Sequence, residues 1–179
     1  DYELRGLGNF ALSPNTRKRP EDYPVEDSES PIKASMFNAV GGSTILYAGH
    51  FPRFHPSDFR VRTLDGVADD WPIDYAQLAP YYAENDRMMG VAGLAGDPAY
   101  PPKQVPLPPV PLGKLGETIA RGFNALGWHW WPSDSAIATR AYEGRAPCIN
   151  LGPCLTGCAQ GAKASTDVTY WPAALRRGV

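Results

Sequence analysis

The stretch NAVGGSTILYAGHFPRFHPSDF, residues 38–59, carries more information than any other part of this chain. Two adjacent glycines, Gly41 and Gly42, precede two small hydroxyl residues, Ser43 and Thr44, then an apolar run and a further glycine, Gly49. Without a Cβ, paired glycines let backbone approach a flat or charged ligand closely. The two hydroxyls add short hydrogen-bonding groups at the same point. That combination suits a loop that grips a cofactor with main-chain atoms. The competing explanation is an ordinary tight turn between two elements, since Gly pairs are common punctuation.

The 179 residues suffice for one domain with a real core, and an apolar fraction of 43% is that of a soluble globular protein. Apolar runs fall well short of the roughly 20 residues that a membrane-spanning helix needs. A net charge of −2, with the signs mixed along the chain, argues against nucleic acid as a partner, which favours a basic face. The chain begins with Asp1 and shows no secretory signal pattern. A soluble protein, cytoplasmic or peripheral rather than secreted, is expected. With 18 Gly and 19 Pro and no period to them, loops should be a large part of the structure.

Residues 13–34 are rich in Pro, Ser and charge and read as an irregular surface excursion. Asp65–Gly66 is a turn signal. Asp74 suits the cap of a short helical turn, and Pro80 then suits the first turn of a longer helix through Met89, closed by Gly90. Tyr81, Tyr82, Met88 and Met89 read as packing residues. Seven prolines within residues 96–111 exclude a regular central strand or helix and predict an extended linker crossing the surface. The spacing of Leu115, Ile119, Phe123 and Leu126 predicts a helix over 113–126, stopped by Gly127. WHWWP, residues 128–132, reads as a short strand or edge segment. Its aromatics suit either a sugar surface or, the favoured alternative, burial against the preceding helix. A final helix is expected from about Tyr170 to Arg177, with Gly178 as its stop.

Cys148, Cys154 and Cys158 are the only cysteines. The C-x5-C-x3-C spacing gives an odd count in one cluster, a poor disulfide framework. Thiolates bind iron–sulfur clusters well, and three ligands suit a 3Fe-4S cluster, with Gly152, Gly157 and Gly161 letting the chain curl around it. The alternative is three small buried residues in a compact turn, with or without one pair oxidised in a disulfide. Zinc is weaker, since a structural site wants a fourth ligand and His129 is the only histidine nearby in sequence. His50, His55 and His129 stand in no nucleophile–base pattern, and each reads as a surface or packing residue. No GxSxG, HExxH or Walker sequence occurs, which leaves hydrolase and phosphoryl-transfer chemistry without support.

Residues 38–59 resemble the flavin-contacting signature of the glucose-methanol-choline (GMC) oxidoreductases. The matching positions are Asn38, Val40, Gly41, Gly42, Ser43 and Thr44, followed by Arg53, Pro56 and Asp58. Tyr47 stands where many members have Asn or His. Leu46 stands where some have the His that bonds covalently to flavin, so the resemblance implies non-covalent FAD. It also implies that Asn38, Gly41, Gly42, Ser43, Thr44, Tyr47 and Gly49 contact the cofactor. GRAPCINLGPCLTGCAQGAKAS, residues 144–165, is similar to a cysteine segment of bacterial members of the FAD-glucose dehydrogenase type, in which three cysteines hold an iron–sulfur cluster.

The resemblance implies part of a GMC fold, of α+β or α/β class and rich in loops. Residues 1–60 would be a partial FAD-binding region, 61–146 part of the substrate-side or cap region, and 147–179 a cysteine segment returning to the FAD-binding domain. No GxGxxG fingerprint occurs; the nearest candidate, GLGNF at residues 6–10, lacks the third glycine. The family's catalytic His would lie beyond Val179, so no catalytic residue is assigned here. The chain thus reads as the central piece of a longer FAD enzyme that oxidises a CH–OH group of a sugar, sugar acid or other alcohol. Alone it should be inactive, with apolar surface left exposed. A cluster would pass electrons to a cytochrome or another acceptor, making the enzyme a dehydrogenase. The alternative from a different class is an iron–sulfur or metal-binding interaction module without catalysis of its own.

Overall fold

The computed structural model of the chain describes residues 21–32 and 37–179. The GLGNF segment and part of the 13–34 excursion lie outside the described residues; 21–32 is a run of turns. The chain divides into two compact units. Unit 1, as far as described, comprises 21–32, 37–48, 150–161 and 165–179. Unit 2 comprises Gly49–Ile149 and the short return Ala162–Ala164.

Helices in unit 2 begin and end where side chains satisfy free backbone groups. A 3-10 turn at Pro56–Arg60 leads into α1, Val61–Asp65. The Asp65–Gly66 signal proves to be the stop of α1: Gly66 takes φ 74° and its N–H closes onto Arg62 O. Helix α2 spans Tyr75–Met89. Its start lies five residues before Pro80, because Asp74 and Gln77 form a capping box. Asp74 Oδ1 accepts from Gln77 N and Gln77 Oε1 from Asp74 N, each at 2.9 Å. Pro80 therefore sits inside the helix rather than in its first turn. Gly90, at φ 64°, ends α2 as expected, and Val91 N–H reaches back to Asp86 O at 2.9 Å.

Helix α3 runs Gly113–Leu126 and stops at Gly127, as the spacing predicts. The stripe that predicts the helix is not the face it buries, however. Leu115, Ile119 and Leu126 are exposed, and the buried residue is Ala120. Residues 128–130 form no strand. Trp128 packs its ring on Phe123, with centroids 5.8 Å apart, and Trp130 Nε1 donates to Asn124 Oδ1 at 2.8 Å. The segment thus folds back on the end of α3, although Trp128 itself stays exposed.

Among the described residues, extended segments of unit 2 pair through isolated bridges and build no sheet. Ala92 pairs with Leu107 on one side and Ser135 on the other; Ser135 also pairs with His50, and Ile137 with Lys163. Alanines 92, 136, 138, 162 and 164 are fully buried along these segments. Their small side chains let the segments lie close, and Leu107, Val110 and Tyr142 fill the space around Ala92 and Ala138. Leu107 corrects the surface-linker expectation for 96–111, since its side chain is buried and its amide bonds to Val91 O at 3.2 Å. Pro106 and Pro108 favour extended backbone on either side but leave the Leu107 N–H free to pair.

Two buried ion pairs stiffen unit 2. Arg53 donates from Nη2 and Nε to Asp86 Oδ2 at 2.6 and 3.0 Å, and from Nη1 to the Tyr75 hydroxyl at 3.3 Å. Lys103 pairs with Asp134, both nearly buried. Unit 1 holds a 3-10 turn at Gly42–Leu46, a second at Cys154–Thr156, and α4, Tyr170–Leu175, which continues as turns to Gly178. No helix among the described residues is long and apolar enough to cross a membrane.

Candidate cofactor-contact site

The glycine pair lies in unit 1. Gly41 and Gly42 both adopt left-handed backbone, at φ 94° and 54°, which side chains rarely tolerate. Gly42 then opens the 3-10 turn through Leu46, so the loop is more regular than an extended segment or simple turn. Gly41 is a glycine for a reason within the protein: a Cβ there would stand 2.9 Å from Asp167 Cβ and 3.1 Å from Asp167 N. Gly42 differs, since among the described residues no atom from outside its own turn lies within 4 Å of the place its Cβ would take.

Hydroxyl groups from the far end of the sequence hold this turn. Thr44 Oγ1 donates to Gly41 O at 2.5 Å, and Thr166 N donates to Thr44 Oγ1 at 3.1 Å. Thr166 Oγ1 also lies 3.1 Å from Gly41 O. Ser165 Oγ bonds to Asp167 Oδ1, fixing the carboxylate that lies against Gly41. The 3-10 turn packs against that of Cys154–Thr156, and Ile45 Cγ2 would lie 3.5 Å from a Cβ on Gly157. The two segments singled out in the sequence therefore meet in unit 1. Residues 165–167 were not singled out there; their signal was a Ser-Thr pair resembling Ser43–Thr44.

The remaining positions fall as follows. Asn38 and Ser43 are exposed, and Tyr47 is half-buried in unit 1. Gly49 belongs to unit 2, is buried, and at φ 88° has Ile137 Cγ1 2.9 Å from where its Cβ would be. Its carbonyl accepts from Ala136 N at 2.7 Å. Arg53, Pro56 and Asp58 have structural work in unit 2. Arg53 binds Asp86, and Pro56 opens the 3-10 turn that Asp58 caps by accepting from His55 N at 2.7 Å. Burial pushes the Asp86 carboxyl above the usual aspartate range, against the pull of the two Arg53 hydrogen bonds. His55 also reaches Ala99 O, and His129 pairs with Asp97 at 2.9 Å.

The cysteines are divided between the units: Cys148 lies in unit 2, Cys154 and Cys158 in unit 1. All three are half-buried, and none forms a disulfide. Among the described residues no group of three or more His, Cys, Asp or Glu side chains is placed to hold a metal ion. A left-handed glycine pair and the exposed Ser43 can meet a polar planar ligand, whereas the Thr44 hydroxyl is engaged by Gly41 O and Thr166 N.

No family profile matches the chain. Over 182 aligned residues, 99% of the chain, it is 46% identical to the 2-methyl-1,2-propanediol dehydrogenase of Mycolicibacterium austroafricanum. Its relatives are oxidoreductases. It is 34% identical over 73% of its length to the fructose dehydrogenase large subunit of Gluconobacter japonicus. It is 32% identical over 73% of its length to the paromamine 6'-oxidase of Streptomyces fradiae. The chain spans 32%, 25% and 24% of the lengths of these three proteins.

Proposed function

We propose that this chain is part of a GMC-type, FAD-dependent oxidoreductase that oxidises a CH–OH group of a small alcohol or sugar. The observation that carries this is the 46% identity to a diol dehydrogenase along essentially the whole chain. Relatives named for 2-methyl-1,2-propanediol, fructose and paromamine have in common a substrate with a CH–OH group, and that is the substrate class assigned. The names favour an enzyme over an iron–sulfur or metal-binding interaction module without catalysis of its own. The fold class proposed remains α+β or α/β.

Non-covalent FAD, when bound, supplies the acceptor for the hydride that leaves the carbinol carbon. In this chain Asn38, Gly41, Gly42, Ser43, Thr44, Tyr47 and Gly49 are the residues proposed to hold it. Gly41 and Gly42 let the main chain come close, and the exposed Ser43 adds a hydroxyl at the same point. No base is assigned within the chain, and no step is routed through the cysteines. A cluster at Cys148, Cys154 and Cys158 rests on their spacing and on the resemblance of residues 144–165; iron and acid-labile sulfide analysis of anaerobically prepared full-length protein decides it.

The test uses the full-length protein that contains this sequence. Purified and mixed without oxygen with 2-methyl-1,2-propanediol, fructose or a simple primary alcohol, it should lose its oxidised-flavin absorbance with at least one of them. Protein that purifies without flavin and takes none up on reconstitution refutes the proposal.

A further inference from the structure

We infer that Thr44 and Thr166 form a two-hydroxyl latch that fixes the orientation of the Gly41–Gly42 peptide, which makes both of them positioning residues for the bound flavin. This rests on the assignment of residues 41–44 to flavin contact.

The latch follows from counting protons. A threonine hydroxyl has one proton to give and can accept besides. Thr44 gives its proton to Gly41 O and accepts from Thr166 N–H, so one hydroxyl relays between two segments 122 residues apart. The single proton of the Thr166 hydroxyl is shared between Gly41 O at 3.1 Å and Thr44 Oγ1 at 3.2 Å. Two hydroxyls thus converge on the Gly41 carbonyl. On its Cα side Gly41 meets Asp167, itself held by Ser165. The carbonyl and the Cα face of Gly41 are both engaged by residues 165–167. A glycine at φ 94° has little intrinsic preference for one peptide orientation. The restraint therefore comes from the latch, and the face at Gly42, which among the described residues meets no atom from outside its own turn, is the one presented. The Ser-Thr-Asp run at 165–167 becomes a second wall of the cofactor loop.

The test compares full-length Thr44→Val, Thr44→Ser, Thr166→Val and Thr166→Ser with the wild type. FAD affinity is measured by reconstituting flavin-free protein, and the melting temperature of the flavin-free form is recorded alongside. Thr44→Val should weaken FAD binding about tenfold, the equivalent of about 1.4 kcal/mol. Thr166→Val should do less, since it keeps the backbone donor. Both serine variants should bind as the wild type does, and the flavin-free melting temperatures should stay together. Unchanged FAD affinity in Thr44→Val and Thr166→Val, in a wild type that binds flavin, overturns the latch alone. So does a loss of affinity that tracks a falling melting temperature and appears equally in the serine variants, the behaviour of a purely structural pair. A wild type that takes up no flavin overturns the functional assignment and the latch with it. Should Thr44→Val fail to fold, Thr166→Val against Thr166→Ser carries the same comparison.

Discussion

At the scale of single residues, the glycine pair separates two demands that the sequence shows as one. Both glycines need left-handed backbone, but only Gly41 is crowded by protein. Gly42→Ala should therefore lower stability by only about 1–2 kcal/mol, the usual penalty for a left-handed L-residue. Gly41→Ala should lower it further, because a new Cβ must push Asp167 aside and overpacking adds about 1–3 kcal/mol. Urea unfolding of the two variants checks the order; equal losses would mean that the Asp167 contact is soft. The glycines themselves were legible, since their residue type states the backbone they need. Their partners were not. Thr166 and Asp167 reach the turn through contacts that no local pattern encodes, 125 residues away from Gly41 in the case of Thr166.

At the scale of elements, what the sequence revealed depended on whether the signal was local. Gly127 and the apolar spacing before it marked α3 correctly. Pro80 drew the start of α2 five residues too late, although the Asp74-x-x-Gln77 box was there to be read. Proline density hid the burial of Leu107, since composition reports the backbone class and not which single side chain turns inward. The Arg53–Asp86 pair was also invisible, joining the end of the signature to the middle of α2. Asp86→Ala should cost about 3–5 kcal/mol, because it leaves a buried guanidinium without its acceptor. Asp86→Asn keeps an acceptor oxygen and should lose less. The pH dependence has a definite sign. The folded pKa of Asp86 lies above its unfolded value. Its contribution is therefore full below the unfolded value of about 3.9 and declines as pH rises through the folded one. Acidification through the ordinary aspartate range should thus not weaken the fold through this group, as urea midpoints of the wild type and Asp86→Asn across that range will report.

At the scale of the whole molecule, the two units interleave along the sequence, because unit 2 takes back Ala162–Ala164 after unit 1 has claimed 150–161. Those three residues are all buried. Ala162 O accepts from Ala138 N at 2.8 Å and from Arg145 Nη1 at 3.3 Å, and Ala164 N donates to Ala136 O at 2.7 Å. Truncation after Gly161 should therefore leave helix α2 protected while the Ala138 amide exchanges with deuterium much faster than in the uncut chain. Retained protection at Ala138 would show that unit 2 closes without its return segment. The order of synthesis follows from the same feature. A nascent chain delivers Gly49–Ile149 before Ala162–Ala164, and residues 150–161 must clear the ribosome in between. Until then the alanine-lined edge at 136–138 waits without its partner, and a chaperone that shields it during that delay would raise the yield of correctly folded protein.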